Sequence, residues 1–279
     1  MKVKLTQTIK GDVERALAED IGDGDLTSIL IPKGTQTKAQ VSVRTSCTIC
    51  GIEWFNEVFS QIDKSLKITW FAKDGEQINK NTVICELSGS ARSLFTGERT
   101  ALNFLQTLSS IASKTRAFVD AIKDTNARIL DTRKTIPGLR IASKYAVKMG
   151  GGTNHRIGLF DAILIKENHI AACGGISKAL SAVKSQRGDS IPVQIEVESL
   201  EQLLEALEAG AKLVLLDNFS IDDTRRAVEI TAGRAELEAS GGVTLHQAIE
   251  IAKTGVDRIS IGSLTKDIEA TDFSMRFTD

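Results

Sequence analysis

The chain has 279 residues, of which 42% are hydrophobic and 25% are charged, and its formal net charge is −1. These values exclude a disordered chain and a coiled coil, and a chain of this length buries a core that needs no metal or disulfide to hold it together. A nucleic-acid-binding protein is not expected either, because such a surface normally gives a whole domain a basic excess.

The N-terminal residues MKVKLTQTIKGDVERAL lack the apolar run of a signal peptide. No stretch approaches the roughly 18 consecutive apolar residues of a membrane span. We therefore expect a cytoplasmic protein that does not contact a membrane. Residues 9–19 carry apolar side chains at helical spacing and predict a helix that ends in the turn-rich DIGDGD.

Residues 38–87 change to a period of two, with alternating apolar positions around Val41, Ile68 and Cys85. This alternation predicts short antiparallel strands and a small α+β N-terminal domain. Cys47 and Cys50 form a lone CxxC motif that lacks further metal ligands at zinc-site spacing, so we interpret them as reduced cysteines in a strand. The same holds for the isolated Cys85, and we take Cys173 as structural too.

A long amphipathic helix is predicted over residues 96–123, with apolar residues recurring at intervals of three and four. Glu98 and Arg99 fall in its predicted first turn, where an arginine opposes the helix dipole. Arg99 therefore has either a partner elsewhere or a purely solvated role. We place an N-terminal domain at residues 1–110, with this helix at the junction, and a barrel domain at 111–279 whose last residues are candidates for packing back on the first domain.

Six short apolar strands follow, with helices between them, a rhythm that indicates repeated β-strand/α-helix units. The predicted strands are 128–130, 162–165, 193–197, 213–216, 236–239 and 258–261. Each is followed by polar residues, and chemistry at the carboxyl ends of many strands is typical of a (β/α) barrel. With only six strands evident, the predicted fold is α/β: an open, incomplete (β/α) barrel with a smaller α+β N-terminal domain.

The stretch from Asp131 to Lys166 contains seven lysines and arginines but only two acids, Asp131 and Asp161. A local cationic excess in a nearly neutral chain predicts an anion site. Gly150, Gly151 and Gly152 precede Asn154-His155-Arg156, which suggests a loop shaped around a ligand. Lys166 could form a Schiff base, as in aldolases, or pair with phosphate or carboxylate oxygens. His169 and His246 are interpreted as structural.

Acids and glycines dominate the later strand ends. One or more of Glu196, Glu198 and Asp217 should meet a cation, a pair of sugar hydroxyls or Mg²⁺, because buried carboxylates need partners. Ser240-Gly241-Gly242 and Gly262-Ser263 precede helices, and such turns bind phosphate through backbone N–H groups. The predicted pocket therefore combines a cationic half with an acidic, glycine-rich half.

Seven motifs occur in order along the chain: ERTALNFL, DTRKTIPGLR, KYAVKMGGGTNHRIGLFDAILIKENH, QIEVES, LLDNF, EASGGV and ISIGSLT. With EDIGDGDLTS and CGIEW near the N-terminus, they resemble the quinolinate phosphoribosyltransferase family over nearly the whole chain. The resemblance implies an open α/β barrel and at least a homodimer. It also implies transfer of the phosphoribosyl group of phosphoribosyl pyrophosphate to quinolinate, with Mg²⁺ and loss of pyrophosphate and CO₂, giving nicotinate mononucleotide for de novo NAD synthesis.

By this resemblance, the quinolinate carboxylates are held by Arg133, His155 and Arg156, with Arg99 reaching in from a neighbouring subunit. Lys134 and Lys166 correspond to lysines that face phosphoribosyl pyrophosphate and the substrate. Glu196 and Asp217 match the acids for the ribose and Mg²⁺. The 5′-phosphate cradle corresponds to Ser240, Gly241, Gly242 and Gly262.

Three alternatives remain open at this point. A related pyrophosphorylase could act on another heteroaromatic carboxylate. A Schiff-base aldolase barrel would use Lys166 as its nucleophile. A binding module without enzymatic activity would bind a phosphorylated sugar and release no pyrophosphate.

Overall fold

The computed structural model describes residues 2–187 and 191–278. Their internal contacts group them into two compact units. One unit contains the chain up to Arg116, the segment Ile136–Gly151 and the residues from Thr265 onward. The other contains Ala117–Thr135 and Gly152–Leu264. Each unit is therefore assembled from segments that are distant in the sequence.

The first unit is built on an antiparallel sheet. Its main elements are α1 (Lys2–Ile21), β1 (Gln36–Val43), β2 (Cys47–Thr48), α2 (Ile52–Ile62), β3 (Lys67–Trp70), β4 (Gln77–Ile78), β5 (Val83–Ser90), the first part of α3 (Ala91–Ala121), α4 (Arg140–Met149) and β12 (Phe273–Thr278). The strands order as β12-β1-β5-β3, and β2 pairs with β4. The C-terminal strand β12 therefore adds to the edge of a sheet made from the N-terminal part of the chain.

Alternation explains which faces of this sheet are buried. In β1, Ala39, Val41 and Val43 are fully buried while the residues between them are not. The long side chains Trp54 and Phe55 of α2 are also fully buried and complete the core. The predicted antiparallel N-terminal sheet is confirmed.

The long helix α3 begins at Ala91, five residues before its predicted start at Thr96. Gly97 lies inside both the predicted and the observed helix, although glycine is a poor helix former. Close packing explains this glycine, because an added Cβ at Gly97 would lie 2.6 Å from Cε1 of Phe59. The prediction that Arg99 sits in the first turn was wrong, so the helix dipole gives no reason for its position.

The second unit contains a six-stranded sheet whose neighbouring strands are all parallel. The strands are β6 (Arg128–Leu130), β7 (Ile163–Ile165), β8 (Val193–Val197), β9 (Leu213–Asp217), β10 (Glu236–Ser240) and β11 (Arg258–Ser260), in the order β6-β11-β10-β9-β8-β7. All six predicted strands are confirmed. Within the described residues β6 and β7 are the two edges, so the sheet is an open barrel.

Helices follow the strands of this sheet: α5 (Glu167–Cys173), α6 (Ile176–Arg187), α7 (Leu200–Glu208), α8 (Ile221–Thr231), α9 (Leu245–Ala252) and α10 (Ser263–Lys266). The caps explain where three of them begin. The hydroxyls of Ser199, Ser220 and Thr244 accept hydrogen bonds from backbone N–H groups in the first turns of α7, α8 and α9. These helices are amphipathic and bury residues such as Leu203, Ala227 and Ile251.

Cys47, Cys50, Cys85 and Cys173 are all free thiols, as predicted, but only Cys47 of the CxxC pair lies in a strand. Burial raises the pKa of the Cys47 thiol to about 11. Such a thiol is a poor nucleophile near neutral pH because only the thiolate reacts. Among the helices that the structure describes, none combines the length and apolar composition that a bilayer crossing requires.

Candidate active site

A cavity of about 380 Å³ lies within the second unit. Strand residues and the loops that follow the strands line it: Thr132, Arg133, Lys134, His155, Arg156, Leu164, Lys166, Glu196, Leu215, Asp217, Glu238, Ser240 and Ser260. Asp217 and Ser240 are the last residues of their strands, and Lys166 directly follows β7. The cavity therefore lies at the carboxyl ends of parallel strands, where barrels carry their active sites.

Strand register arranges the carboxylates of the cavity. Glu196 of β8 and Glu238 of β10 both pair with Leu215 of β9, which lies between them. One layer further along, Asp217 pairs with Ser240. Since side chains on a strand alternate between the two faces, these polar residues share the cavity face while their sequence neighbours pack on the other side.

Cations line the same cavity. Arg133 and Lys134 follow β6, while the Nη1 of Arg156 donates a hydrogen bond of 3.1 Å to the carbonyl oxygen of Ala162. Burial and the nearby Arg133 guanidinium lower the pKa of Arg156 from its ordinary value, and Asp161 opposes this shift. Two guanidinium groups that repel each other in a partly buried cavity favour a bound anion.

The loop that carries His155 and Arg156 is fixed to the edge of β6. Thr153 bridges Leu130, with its N–H donating to the carbonyl oxygen of Ile129 at 2.8 Å. The carboxylate of the fully buried Asp131 accepts hydrogen bonds from the backbone N–H of His155 at 2.8 Å and from the Asn154 side chain at 2.6 Å. The three glycines thus lead into a loop held by a buried acid.

Lys166 and Glu196 form an ion pair with an Nζ–Oε2 distance of 2.5 Å. The Glu196 side chain is 10% exposed, whereas that of Lys166 is 48% exposed, so the lysine is accessible from the cavity. His169 lies one turn further along, and its Nδ1 accepts the backbone N–H of Lys166 at 3.0 Å. His169 therefore fixes the backbone from which Lys166 projects.

Asn218 connects Asp217 to the glycine turn after β10. Its backbone is left-handed, with φ of 57°, and its Nδ2 donates to Oδ2 of Asp217 at 2.9 Å. Gly241 packs against it so closely that an added Cβ would lie 2.1 Å from Oδ1 of Asn218. Only glycine fits at this point, where φ is 117°.

Gly262 serves a similar purpose beside β6. A Cβ added there would lie 3.1 Å from Cδ of Lys134 and 3.7 Å from Oγ1 of Thr132. The glycine therefore leaves the space in which the Lys134 side chain lies.

Most of the predicted site residues meet in this cavity. The eight that line it are Arg133, Lys134, His155, Arg156, Lys166, Glu196, Asp217 and Ser240. Gly241 and Gly242 continue the chain from Ser240, and Gly262 adjoins Lys134. Glu198 is exposed outside β8 and does not line the cavity, while Arg99 is an exposed residue of α3 in the other unit.

Sequence reasoning missed Gln194, Glu238 and Ser260, which are 5%, 1% and 5% exposed. Glu238 and Ser260 line the cavity, and Gln194 hydrogen-bonds two of the lining residues. The signal was present as alternation. In VQIEV and ELEAS, Gln194 lies two residues before Glu196 and Glu238 two before Ser240, on the same face of each strand.

No group of three or more His, Cys, Asp or Glu residues with the arrangement of a metal site occurs in ranges 2–187 and 191–278. Glu196 and Asp217 nevertheless lie in the same cavity and offer carboxylate oxygens. One or two carboxylates are enough for a Mg²⁺ ion that shares its other ligands with substrate phosphates.

Comparison with known proteins places this chain in a family. Residues 25–109 match the family described as quinolinate phosphoribosyl transferase, N-terminal domain, and residues 111–276 match the corresponding C-terminal domain. A relative from Bacillus subtilis, named probable nicotinate-nucleotide pyrophosphorylase [carboxylating], is 43% identical over 93% of this chain and 90% of its own length. Quinolinate phosphoribosyltransferase [decarboxylating] 1 of Nicotiana glauca is 38% identical, over 97% of this chain and 83% of its own.

Solved structures give the same result. The nicotinate-nucleotide pyrophosphorylase from Francisella tularensis superimposes with a TM-score of 0.95 at 46% identity, covering 98% of this chain and 97% of its own. The enzyme of that name from Ehrlichia chaffeensis gives a TM-score of 0.92 at 38% identity, covering 96% and 98%. With both domains matched and the cavity lined as described, the chain belongs to the quinolinate phosphoribosyltransferase family.

Proposed function

We propose that the chain converts quinolinate and phosphoribosyl pyrophosphate to nicotinate mononucleotide, pyrophosphate and CO₂, a step of de novo NAD biosynthesis. The observation that carries this proposal is a cavity whose lining combines arginines and lysines with carboxylates and Ser240. A dicarboxylate and a sugar bearing phosphates together need both kinds of residue. The family relationship supports the same reaction.

The quinolinate carboxylates are assigned to the arginines of the cavity. Arg133 and Arg156 are charged forks that suit bidentate binding of a carboxylate, and His155 belongs to the same loop. The mutual repulsion of the two guanidiniums, expressed in the lowered pKa of Arg156, is relieved when a dianion lies between them.

Phosphoribosyl pyrophosphate is assigned to the carboxylates of the cavity and the glycine turns beside them. Glu196 and Asp217 accept hydrogen bonds from ribose hydroxyls, and the backbone of Ser240, Gly241, Gly242 and Gly262 surrounds the 5′-phosphate. We assign Lys134 and Lys166, which line the same cavity, to the pyrophosphate oxygens. The ion pair between Lys166 and Glu196 joins a cation and an acid of the cavity and orients both side chains.

The reaction follows from this arrangement. The bond between ribose C1 and the pyrophosphate oxygen breaks, the pyrophosphate leaves with the bonding electrons, and the pyridine nitrogen of quinolinate bonds to C1. Carboxylates stabilise the cationic sugar, while the lysines stabilise the leaving group. The pyridinium nitrogen then accepts the electrons released when the 2-carboxylate departs as CO₂, and a proton replaces it. This electron sink removes the need for a flavin or pyridoxal group.

Mg²⁺ fits the residues that are present. Asp217 lines the cavity and has one carboxylate oxygen bonded to Asn218, and Glu196, which also lines it, offers further oxygen ligands. Bound there together with the substrate, Mg²⁺ would neutralise charge on the pyrophosphate. The protein contributes the placement of Asp217, which Asn218 fixes.

We also propose a homodimer or higher assembly in which Arg99 of a second copy completes the carboxylate site. Arg99 is exposed, and its neighbour Glu98 is the acid that interacts with it in the same chain. Mixing an Arg99→Ala variant with a Lys134→Ala variant should restore activity, because one site of the mixed dimer contains neither substitution. Absence of recovery at concentrations where the subunits exchange would contradict a shared site.

The deciding assay measures pyrophosphate and CO₂ release with quinolinate and phosphoribosyl pyrophosphate. Equal amounts of both products are expected, and release of neither would refute the proposal. Turnover of nicotinate or another heteroaromatic carboxylate in preference to quinolinate would instead favour the related pyrophosphorylase. A Schiff-base mechanism would be supported only by borohydride trapping of an adduct on Lys166, whose ion-paired ammonium is a poor nucleophile.

Arg133→Ala tests the carboxylate assignment. Removing a charge-assisted pair should cost about 1.5–3 kcal/mol of quinolinate binding, a loss of roughly tenfold to more than a hundredfold in affinity. Calorimetry with quinolinate measures it. Unchanged affinity would remove Arg133 from the assignment.

A further inference from the structure

Glu238 is a buried residue of β10. This carboxylate lines the cavity and is only 1% exposed, yet the reaction described above gives it no role. Its Oε2 accepts a hydrogen bond of 3.0 Å from Nε2 of Gln194, and its Oε1 lies 3.5 Å from Nε2 of His155. Burying a carboxylate is costly, so its contacts call for an explanation.

The hydrogen bonds around Glu238 run in one direction. An ionised carboxylate can only accept, so the amide nitrogen of Gln194 must face it. The amide oxygen of Gln194 then faces Nε2 of His155 at 3.0 Å, and that ring nitrogen must donate. With the proton on Nε2, the Nδ1 of the neutral ring accepts, and it receives the backbone N–H of Arg156 at 2.8 Å.

We propose that Glu238 and Gln194 are positioning residues that fix His155 as the Nε2-protonated tautomer and thereby hold the backbone of Arg156 in place for carboxylate binding. The inference rests on the proposed function for its kinetic consequence, but not for the tautomer. It also gives His155 a role that differs from direct contact with quinolinate, because both ring nitrogens already have protein partners. The carboxylate of Asp131 completes the arrangement by accepting the backbone N–H of His155.

Glu238→Gln is the informative substitution because it preserves shape and reverses direction. The new amide can donate to the oxygen of Gln194, whose NH₂ group then faces Nε2 of His155. Such an arrangement favours a ring with its proton on Nδ1, which brings an N–H against the N–H of Arg156. The matched control is Glu236→Gln on the same strand, whose carboxylate pairs with Arg128 and Arg258 and does not line the cavity.

The first measurement needs no variant. The chain has three histidines, so a two-bond ¹H–¹⁵N correlation spectrum of labelled protein resolves their tautomers. At a pH where the ring is neutral, we expect His155 without substrate to be protonated at Nε2 and not at Nδ1. A neutral ring protonated at Nδ1 would overturn the proposal whether or not any variant folds.

The second measurement compares variants. In Glu238→Gln the Nε2-protonated signal of His155 should be lost or reduced, and the KM for quinolinate should rise about tenfold while kcat falls less. Glu236→Gln should change neither. A Glu238→Gln protein that retains the tautomer and keeps its quinolinate KM within about twofold would also refute the proposal. If the wild-type protein releases no pyrophosphate, the proposed function fails while the spectra still decide the tautomer.

Discussion

Gly241→Ala tests how the turn after β10 affects Asn218 and, through it, the Asp217 carboxylate of the site. The methyl group would lie 2.1 Å from Oδ1, 2.8 Å from Cγ and 3.1 Å from Cα of Asn218. The amide can rotate away, but the Cα belongs to the backbone and cannot. The variant must therefore displace the Asn218 side chain, the turn, or both.

Two costs add up. A non-glycine residue at φ of 117° is strained by roughly 1–3 kcal/mol. Rotating the Asn218 amide also breaks its 2.9 Å hydrogen bond to Asp217, which contributes about 1 kcal/mol because the group is exposed. A loss of about 3 kcal/mol lowers Tm by roughly 6–12 °C for a chain of this size.

The adjacent glycine provides the control. Gly242 has φ of 56° and nothing within 4 Å of an added Cβ, so Gly242→Ala should cost only about 1–2 kcal/mol of backbone strain. Scanning calorimetry gives both stabilities, and steady-state kinetics gives the KM for phosphoribosyl pyrophosphate, which should rise more in Gly241→Ala. Equal stability and equal KM in the two variants would show that the contact with Asn218 is unimportant.

Two further predictions concern other parts of the chain. Burial raises the pKa of the Asp74 carboxyl above 3.8, although hydrogen bonds from Tyr145, Ile52 and Gly51 oppose the shift. Ionisation of Asp74 therefore lowers the free energy of unfolding as pH rises from about 3.8 through the raised pKa. The unfolding free energy of the wild type minus that of Asp74→Asn, from urea titrations, should therefore fall with pH in this window and then stay level; a rise would contradict the sign. Gly262→Ala should leave Tm nearly unchanged, because the flexible Lys134 side chain can move from a Cβ at 3.1 Å, but it should raise the KM for phosphoribosyl pyrophosphate. Wild-type kinetics in that variant would show that Lys134 does not need this space.

The sheet of the second unit was predictable because each strand is a short apolar run followed at once by polar residues. Four of the six observed strands differ from the predicted ones by one residue at an end, as in β9, which includes Asp217, and β10, which includes Ser240. These two polar residues pair with each other in register although they line the cavity. The apolar pattern alone therefore placed the ends of β9 and β10 one residue too early.

The glycine inside α3 could not be explained from the sequence because its cause lies in another helix. Gly97 reads as an interruption, and only the packing of Phe59 against it explains why a helix contains glycine there. Glu238 was missed for a related reason. A glutamate in a strand reads as surface, and its burial depends on Gln194 and His155, which are 44 and 83 positions away in the chain.

The charge of Arg133 opposes that of Arg156 in the cavity, so substrate binding there should respond to ionic strength. Dissolved salt screens the repulsion between the two guanidiniums and so stabilises the protein without substrate. The same salt screens the attraction between those guanidiniums and a bound dicarboxylate. Both effects act in one direction on the equilibrium, so substrate affinity should depend on salt more steeply than the charges of the ligand alone would give.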